Sequence, residues 1–184
     1  MMHKTKAVTL IEVTIAVVLS AIIIVGLMNL FSSGMRGSAK GMAHQANMES
    51  ASILMAQIEY DLLRATEIKS PTANMKDDGA SWKFFYGASG EGYPVTVNYT
   101  KTSDGITRNV FDETSNKTIA NNVFAKNHKV SLSFLHFLVN PSEDEQVIKH
   151  GVWVELTVDS KDNKTASKTE PFTMKRLIII RNQL

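Results

Sequence analysis

A chain of 184 residues with 43% apolar residues has room for one membrane-spanning helix and one compact domain, and its composition excludes a disordered protein. The formal net charge of +2, with basic residues that do not cluster, argues against a nucleic-acid-binding module. The sequence contains no cysteine, which excludes thiolate catalysis, cysteine-based metal sites and disulfides, so a soluble domain must be held by its core alone.

An apolar segment near the N-terminus follows a short basic leader. Lys4 and Lys6 precede it, and residues 13–31 contain no charged side chain. The stretch from residue 7 to residue 31 meets the roughly 20 residues that a membrane span needs. By the positive-inside rule, the two lysines place the N-terminus in the cytoplasm and the rest of the chain outside the inner membrane. A secretory signal is the alternative, but its apolar core runs only ~7–15 residues and ends at a small-residue cleavage site.

Glu12 is the one charged residue inside this apolar segment. A charge at the bilayer centre costs at least ~2.5–3.5 kcal/mol on insertion scales, and less toward the interface. A carboxylate kept at this position therefore indicates a functional site. Its natural partner is a positive charge supplied by another molecule.

Residues 6–13 read KAVTLIEV and resemble the type III signal of the type IV pilin superfamily, which includes pilins and pseudopilins. The resemblance implies that a prepilin peptidase cuts between Ala7 and Val8, so that residues 1–7 are a leader and the new N-terminus is N-methylated. The family usually has Gly and Phe where this chain has Ala7 and Val8. Glu12 is then fifth in the processed chain, where the resemblance implies a role in assembly. Three further positions match the family pattern and join this assembly segment: Thr9, Leu10 and Ile11.

Residues 32–70 combine a glycine-rich joint with an amphipathic helix. Gly34, Gly37 and Gly41 each cost a helix about 0.8–1 kcal/mol relative to alanine, so this segment is interpreted as a weak joint or as a flexible linker. The pattern beyond it predicts a helix docked on a β-sheet, ending before Pro71. Apolar residues recur there at spacings of three and four: Met48, Ala51, Met55, Ile58, Leu62 and Ala65.

The end of this helix carries a second motif. Residues 57–65 read QIEYDLLRA and resemble the Glu-x-Asp-Leu-x-x-Ala segment of J-type minor pseudopilins and W-type minor pilins. Glu59 and Asp61 are expected to form a solvated or subunit-facing rim. They do not suggest a catalytic pair, because residues two apart point to different sides of a helix.

The sequence pattern of residues 71–184 predicts an antiparallel β-sheet domain with short connections. Strands are predicted at 82–86, 93–100, 106–111, 119–123, 130–139, 151–159 and 172–181. Ser103-Asp104-Gly105 is a hairpin signal. The pattern around Tyr99 and Arg108 and the ending at residues 178–182 resemble the same minor subunits. The predicted fold class is α+β and pilin-like: a long N-terminal helix, membrane-spanning over residues 8–31, packed on an antiparallel sheet.

The sequence suggests no enzyme, cofactor or metal site. The five histidines lack ligand spacing, and no phosphate-binding loop or nucleophile motif occurs. His136 falls inside a predicted strand and is expected to pack in the core. The acidic segments at 77–79 and 143–145 are interpreted as solvated loops, with calcium binding as the alternative.

The resemblance implies a minor pseudopilin or minor pilin, a structural subunit that initiates or caps a type II secretion pseudopilus or a type IV pilus. Its implied partners are other pilin subunits, the prepilin peptidase, the inner-membrane assembly platform and membrane lipid, with no nucleic acid. The chain would be a single-pass bacterial inner-membrane protein with an extracytoplasmic C-terminal domain. A membrane-anchored binding or adhesion module is the alternative, and it predicts neither processing nor dependence on Glu12.

Overall fold

The computed structural model describes residues 9–72, 75–86, 92–139, 149–160 and 170–180. It has an α+β architecture with one long N-terminal helix and antiparallel sheets, as predicted and consistent with a pilin-like fold. The chain divides into an N-terminal unit, Met1–Met42, and a C-terminal unit, Ala43–Leu184. The leader, Ala7, Val8, the acidic segment at 143–145 and the ending at 181–182 lie outside the described residues.

Helix α1 spans Leu10–Leu63 and is continuous. Gly34, Gly37 and Gly41 lie inside it, so the segment interpreted as a joint or linker is helical. Each glycine costs about 1 kcal/mol, but a helix already formed on both sides extends by one hydrogen bond per residue without a new nucleation cost. The glycines therefore mark a stretch of small side chains on a continuous helix.

The last five turns of α1 belong to the C-terminal unit and bury one face. Five of the six residues in the predicted stripe are fully or almost fully buried, whereas Met48 is 44% exposed. The helix ends at Leu63, earlier than the proline that was expected to end it. It ends there because Thr66 already donates its backbone N–H to the carbonyl of Lys83, 2.8 Å away, at the start of the sheet.

The strands form two antiparallel sheets instead of the single sheet predicted. In chain order they are β1 Glu67–Ser70, β2 Lys76–Asp77, β3 Ala80–Tyr86, β4 Tyr93–Thr102, β5 Gly105–Asp112, β6 Lys117–Phe124, β7 His128–Val139, β8 Lys149–Ser160 and β9 Phe172–Ile180. One sheet has the order β1-β3-β4-β5-β6 and the other β2-β7-β8-β9. The chain enters the second sheet for β2, returns to the first for β3, and changes sheets again between β6 and β7, where Ala125 and Asn127 adopt positive φ.

The predicted hairpin signal forms the β4–β5 turn. Gly105 closes it with a φ of 142°, and a Cβ at this position would lie 2.3 Å from the backbone oxygen of Phe124. Only glycine fits such a backbone approach, and the left-handed φ also favours it. The turn fixes the register in which Tyr99 faces Arg108 across the two strands.

The core of the C-terminal unit lies between α1 and the inner faces of both sheets. Trp82 stacks on Tyr99 with ring centroids 5.1 Å apart and meets Phe134 edge to face at 6.0 Å. Because Trp82 and Tyr99 belong to the five-stranded sheet and Phe134 to the other, these rings join the two sheets. Such aromatic pairs contribute about 0.5–1.5 kcal/mol beyond the area that they bury.

Candidate functional site

The start of α1 is a reciprocal cap made by Thr9 and Glu12. The backbone N–H of Thr9 donates to Glu12 Oε2 at 2.9 Å, and the Thr9 hydroxyl donates to the same oxygen at 3.1 Å. In return, the backbone N–H of Glu12 lies 3.4 Å from Thr9 Oγ1 and 3.1 Å from the Thr9 carbonyl oxygen. This is the capping-box arrangement, which satisfies backbone donors that a helix start leaves without a partner.

Glu12 keeps one carboxylate oxygen available for another molecule. Both of its side-chain hydrogen bonds end on Oε2, and Oε1 makes no bond to any residue in the described part of the chain. The side chain is exposed, as are the neighbouring Leu10 and Ile11. The cap therefore fixes the orientation of the carboxylate while leaving half of it open to a cation.

The face of α1 that begins at Glu12 is exposed. It carries small and β-branched side chains, among them Ala16, Ser20 and Ala21. Small residues let a second helix approach closely when helices pack in lipid. This face and the Glu12 carboxylate lie on the same part of the helix.

The described residues include one helix, α1, that is long and apolar enough to cross a membrane by length and composition. Its apolar stretch near the N-terminus is not buried by the rest of the chain. These properties indicate a single-pass membrane anchor. Of the predicted site residues, the structure brings Thr9 and Glu12 together, shows Leu10 and Ile11 exposed beside them, and leaves Ala7 and Val8 outside the described residues.

A second acid on the same helix, Asp61, has an opposite environment, and the prediction of a solvated rim is wrong for it. Asp61 is 0% exposed. Its Oδ2 accepts from Tyr99 Oη and from Arg108 Nε, each at 2.6 Å, and its Oδ1 accepts from Arg108 Nη2 at 2.9 Å and from Gln57 at 3.2 Å. The fork of Arg108 thus holds both carboxylate oxygens, which is the strongest geometry for an ion pair.

The pKa values of the partners of Asp61 follow from this contact. Burial acts to lower the pKa of Arg108, but the hydrogen bonds and charge of Asp61 outweigh it, so the pKa is raised. Burial raises the pKa of Tyr99, and the nearby Asp61 charge raises it further. Arg108 therefore stays charged and Tyr99 stays neutral at ordinary pH, which keeps the contact intact.

Glu59, expected on the same rim as Asp61, is only half-buried. It pairs with Arg176 of β9, whose side chain is about half exposed. Sequence spacing does not separate the two acids. Asp61 lies three residues after Ile58 and four before Ala65, and Glu59 lies four after Met55 and three before Leu62, so both flank the buried face.

Three residues from the two weaker motifs meet in the Asp61 contact. Asp61 comes from the segment at 57–65, while Tyr99 and Arg108 come from the hairpin pattern. Tyr99 and Arg108 lie 38 and 47 residues beyond Asp61 along the chain. Their side chains nevertheless form one buried cluster, so the two patterns describe a single structural feature.

His136 packs in the interior, as predicted, and has a partner that the sequence did not reveal. It is 3% exposed. Its Nδ1 lies 3.0 Å from the carbonyl oxygen of Pro71, and its Nε2 lies 2.7 Å from Nδ1 of His150. Burial lowers the pKa of His136. Among the residues that the structure describes, no group of three or more metal-ligating side chains comes together.

Comparisons with family models, with curated proteins and with solved structures find no significant match for this chain. A functional interpretation therefore depends on the chain's own residues. Two features bear on it, the capped carboxylate on an exposed apolar helix and the buried cluster at Asp61.

Proposed function

We propose that this chain is a minor pseudopilin or minor pilin, a structural subunit that initiates or caps a type II secretion pseudopilus or a type IV pilus. The observation that carries the proposal is a lone carboxylate, Glu12, in the first turn of an exposed helix of membrane-spanning length. The convergence of Asp61, Tyr99 and Arg108 supports it, because residues of both family-like motifs share one contact.

In this proposal, prepilin peptidase cuts between Ala7 and Val8 and frees the α-amine of Val8, which is then methylated. Oε1 of Glu12 pairs with that amine on a neighbouring subunit. Two unit charges at contact distance attract far more strongly in a low-dielectric medium than in water, and an unpaired carboxylate there is costly. The pair would set the axial register as subunits leave the bilayer, with the apolar helices packed side by side.

Processing is the first experiment. The native chain is expressed with and without a prepilin peptidase, and its intact mass and N-terminal sequence are measured. The proposal expects a chain that begins at Val8 and carries an added methyl group only when the peptidase is present. A chain that still begins at Met1 in its native host contradicts it.

The second experiment separates the charge of Glu12 from its capping role. Glu12→Gln removes the charge but keeps a side-chain oxygen that can cap, because glutamine also serves in a capping box. Thr9→Ala removes the hydroxyl of the cap but keeps the charge. Glu12→Gln is expected to insert in the membrane normally and to lose co-purification with partner subunits, whereas Thr9→Ala, which loosens the cap but keeps the charge, should weaken co-purification without abolishing it.

The control for these variants is Thr14→Val, which removes a hydroxyl that bonds only to the carbonyls of Leu10 and Ile11 on the same helix. It should insert and co-purify like the native chain. Normal co-purification of Glu12→Gln would overturn the assembly role of Glu12.

The second candidate is a membrane-anchored extracytoplasmic binding or adhesion module. One observation favours it: the bonds between Thr9 and Glu12 account for this glutamate as a helix cap without any partner molecule. It predicts an unprocessed chain and equal behaviour of the native and Glu12→Gln proteins. The two experiments above therefore decide between the candidates.

A further inference from the structure

A cavity of about 350 Å³ opens in the C-terminal unit between the end of α1 and the β5–β6 side of the five-stranded sheet. Its lining includes two guanidinium groups, those of Arg64 and Arg108, and two tyrosines, Tyr60 and Tyr93. Its volume falls within the range of small-molecule sites. Apolar side chains such as Phe84 complete the lining.

The guanidinium group of Arg108 is held in place by the buried Asp61. Arg108 uses Nε and Nη2 to hold Asp61, which fixes the plane of its guanidinium group, and its side chain is 11% exposed. Because Arg108 also lines the cavity, a bound molecule would meet a guanidinium group whose orientation is already fixed. A guanidinium group already oriented by a buried acid loses little freedom when it binds a second acceptor.

The guanidinium group of Arg64 packs against two aromatic rings. The guanidinium carbon lies 5.1 Å from the ring centroid of Tyr60 and 5.0 Å from that of Phe84, and its Nη1 donates to Tyr60 Oη at 2.7 Å. Cation–π contacts of this kind contribute about 0.5–1 kcal/mol at exposed sites and fix the cation against the rings. The cavity thus presents preorganised guanidinium groups beside flat apolar surfaces.

We propose that this cavity binds a carboxylate carried on an apolar or aromatic group. The carboxylate would accept from the guanidinium groups of Arg108 and Arg64, which both line the cavity, since planar N–H forks match carboxylate oxygens. The apolar body would lie against Phe84 and the rings of the tyrosines. This site is separate from Glu12 and does not depend on the assembly role proposed above.

The test is calorimetric titration of the full native chain, in detergent micelles, with phenylacetate. Phenylacetamide, which has the same ring without the charge, is titrated in parallel to account for partition into detergent. Phenylacetate is expected to bind at least tenfold more tightly than the amide. Absence of binding, or equal binding of acid and amide, would overturn the proposal.

Two variants locate the binding. Ala120→Phe fills the cavity from the β6 wall and should abolish binding, and Ala56→Phe on the exposed side of α1 is its control. Arg64→Gln should weaken binding about tenfold, and Arg176→Gln, on the other sheet, is its control. Arg108 is left intact because its loss would strand the buried Asp61. Binding that survives both cavity variants would contradict the site.

The carboxylate could come from a small molecule or from the end of a protein chain. Acetyl-Gly-Gly-Phe with a free carboxylate and the same peptide as an amide distinguish these sources. Tighter binding of the free-acid peptide than of phenylacetate indicates a polypeptide C-terminus, and weaker binding indicates a small carboxylate. Both results require the acid form to bind better than the amide.

Discussion

Helix α1 carries two acids whose environments are opposite. Glu12 is exposed in the N-terminal unit, and within the described part of the chain its side chain bonds only to Thr9, three residues away. Asp61 is fully buried in the C-terminal unit and bonds to residues 38 and 47 positions away. A carboxylate with local, exposed partners can exchange them at little cost, whereas one with distant, buried partners holds the fold together. The comparison is in keeping with the assembly role proposed for the first acid, and it assigns a stabilising role to the second.

The largest expected effect comes from breaking the buried contact. Asp61→Ala removes the acceptor of both Arg108 and Tyr99, leaving a buried cation uncompensated, and should lower the free energy of unfolding by about 3–5 kcal/mol. Chemical denaturation of the full chain in micelles measures it. Glu59→Ala, which breaks the exposed pair with Arg176, is the matched control and should cost less than about 1 kcal/mol. Equal losses in the two variants would remove the distinction.

A double-mutant cycle sharpens the same contrast. Asp61→Leu with Arg108→Met replaces a buried ion pair by apolar groups of similar size, which is often close to neutral. The double variant should therefore cost about 2 kcal/mol less than the sum of the two single variants. Denaturation midpoints of the four proteins give the coupling. Additive losses would indicate that the two side chains act independently, against the contact geometry.

Glu113 offers an intermediate case, a carboxylate that is partly exposed yet bound by distant residues. Lys69 and Lys83 hold it at 2.5 and 2.8 Å, Thr96 adds a third bond, and together they lower its pKa from 4.5 to about 2. A carboxylate whose folded pKa is depressed stabilises the fold above its unfolded pKa and loses that contribution as pH falls through the folded value. Stability should therefore decline between about pH 4.5 and 2.

The pH dependence is measured by unfolding the native protein and Glu113→Gln across this window. The variant should show a shallower decline, and the difference should shrink in high salt, because exposed charges are screened. A difference that salt leaves unchanged would mean that Glu113 behaves like the buried Asp61.

The sequence predicted what depends on local periodicity. The stripe from Ala51 to Ala65 and the alternation in the longer strands set the α+β fold class. The sequence did not predict β1 and β2, because strands of four and two residues are too short to show alternation. It also missed the division into two sheets, because alternation identifies a strand but not its neighbour.

The two candidate sites also differ in how much of their contacts the sequence can predict. The cap at Glu12 lies within four consecutive residues, and the Thr-x-x-Glu spacing is visible in the sequence. The Asp61 contact joins three separate segments, and no residue spacing in the sequence predicts such a pairing. Helix spacing did not single out Asp61 either, since Glu59 has the same spacing to Met55 and Leu62 as Asp61 has to Ala65 and Ile58. A buried acid requires a cation, and the fold brings Arg108 to Asp61.

The smallest expected effect on stability is at Glu12. Glu12→Gln should leave the free energy of unfolding of the C-terminal unit within about 0.5 kcal/mol of the native value, because the change is exposed and its bonds are local. The measurement is the same denaturation series used for Asp61→Ala, followed through the two tryptophans, Trp82 and Trp153, both in that unit. A chain that loses assembly while keeping this stability would separate the two acids by function. A loss of stability comparable to that of Asp61→Ala would mean that the charge of Glu12 contributes to the fold, and the contrast between the two acids would fail.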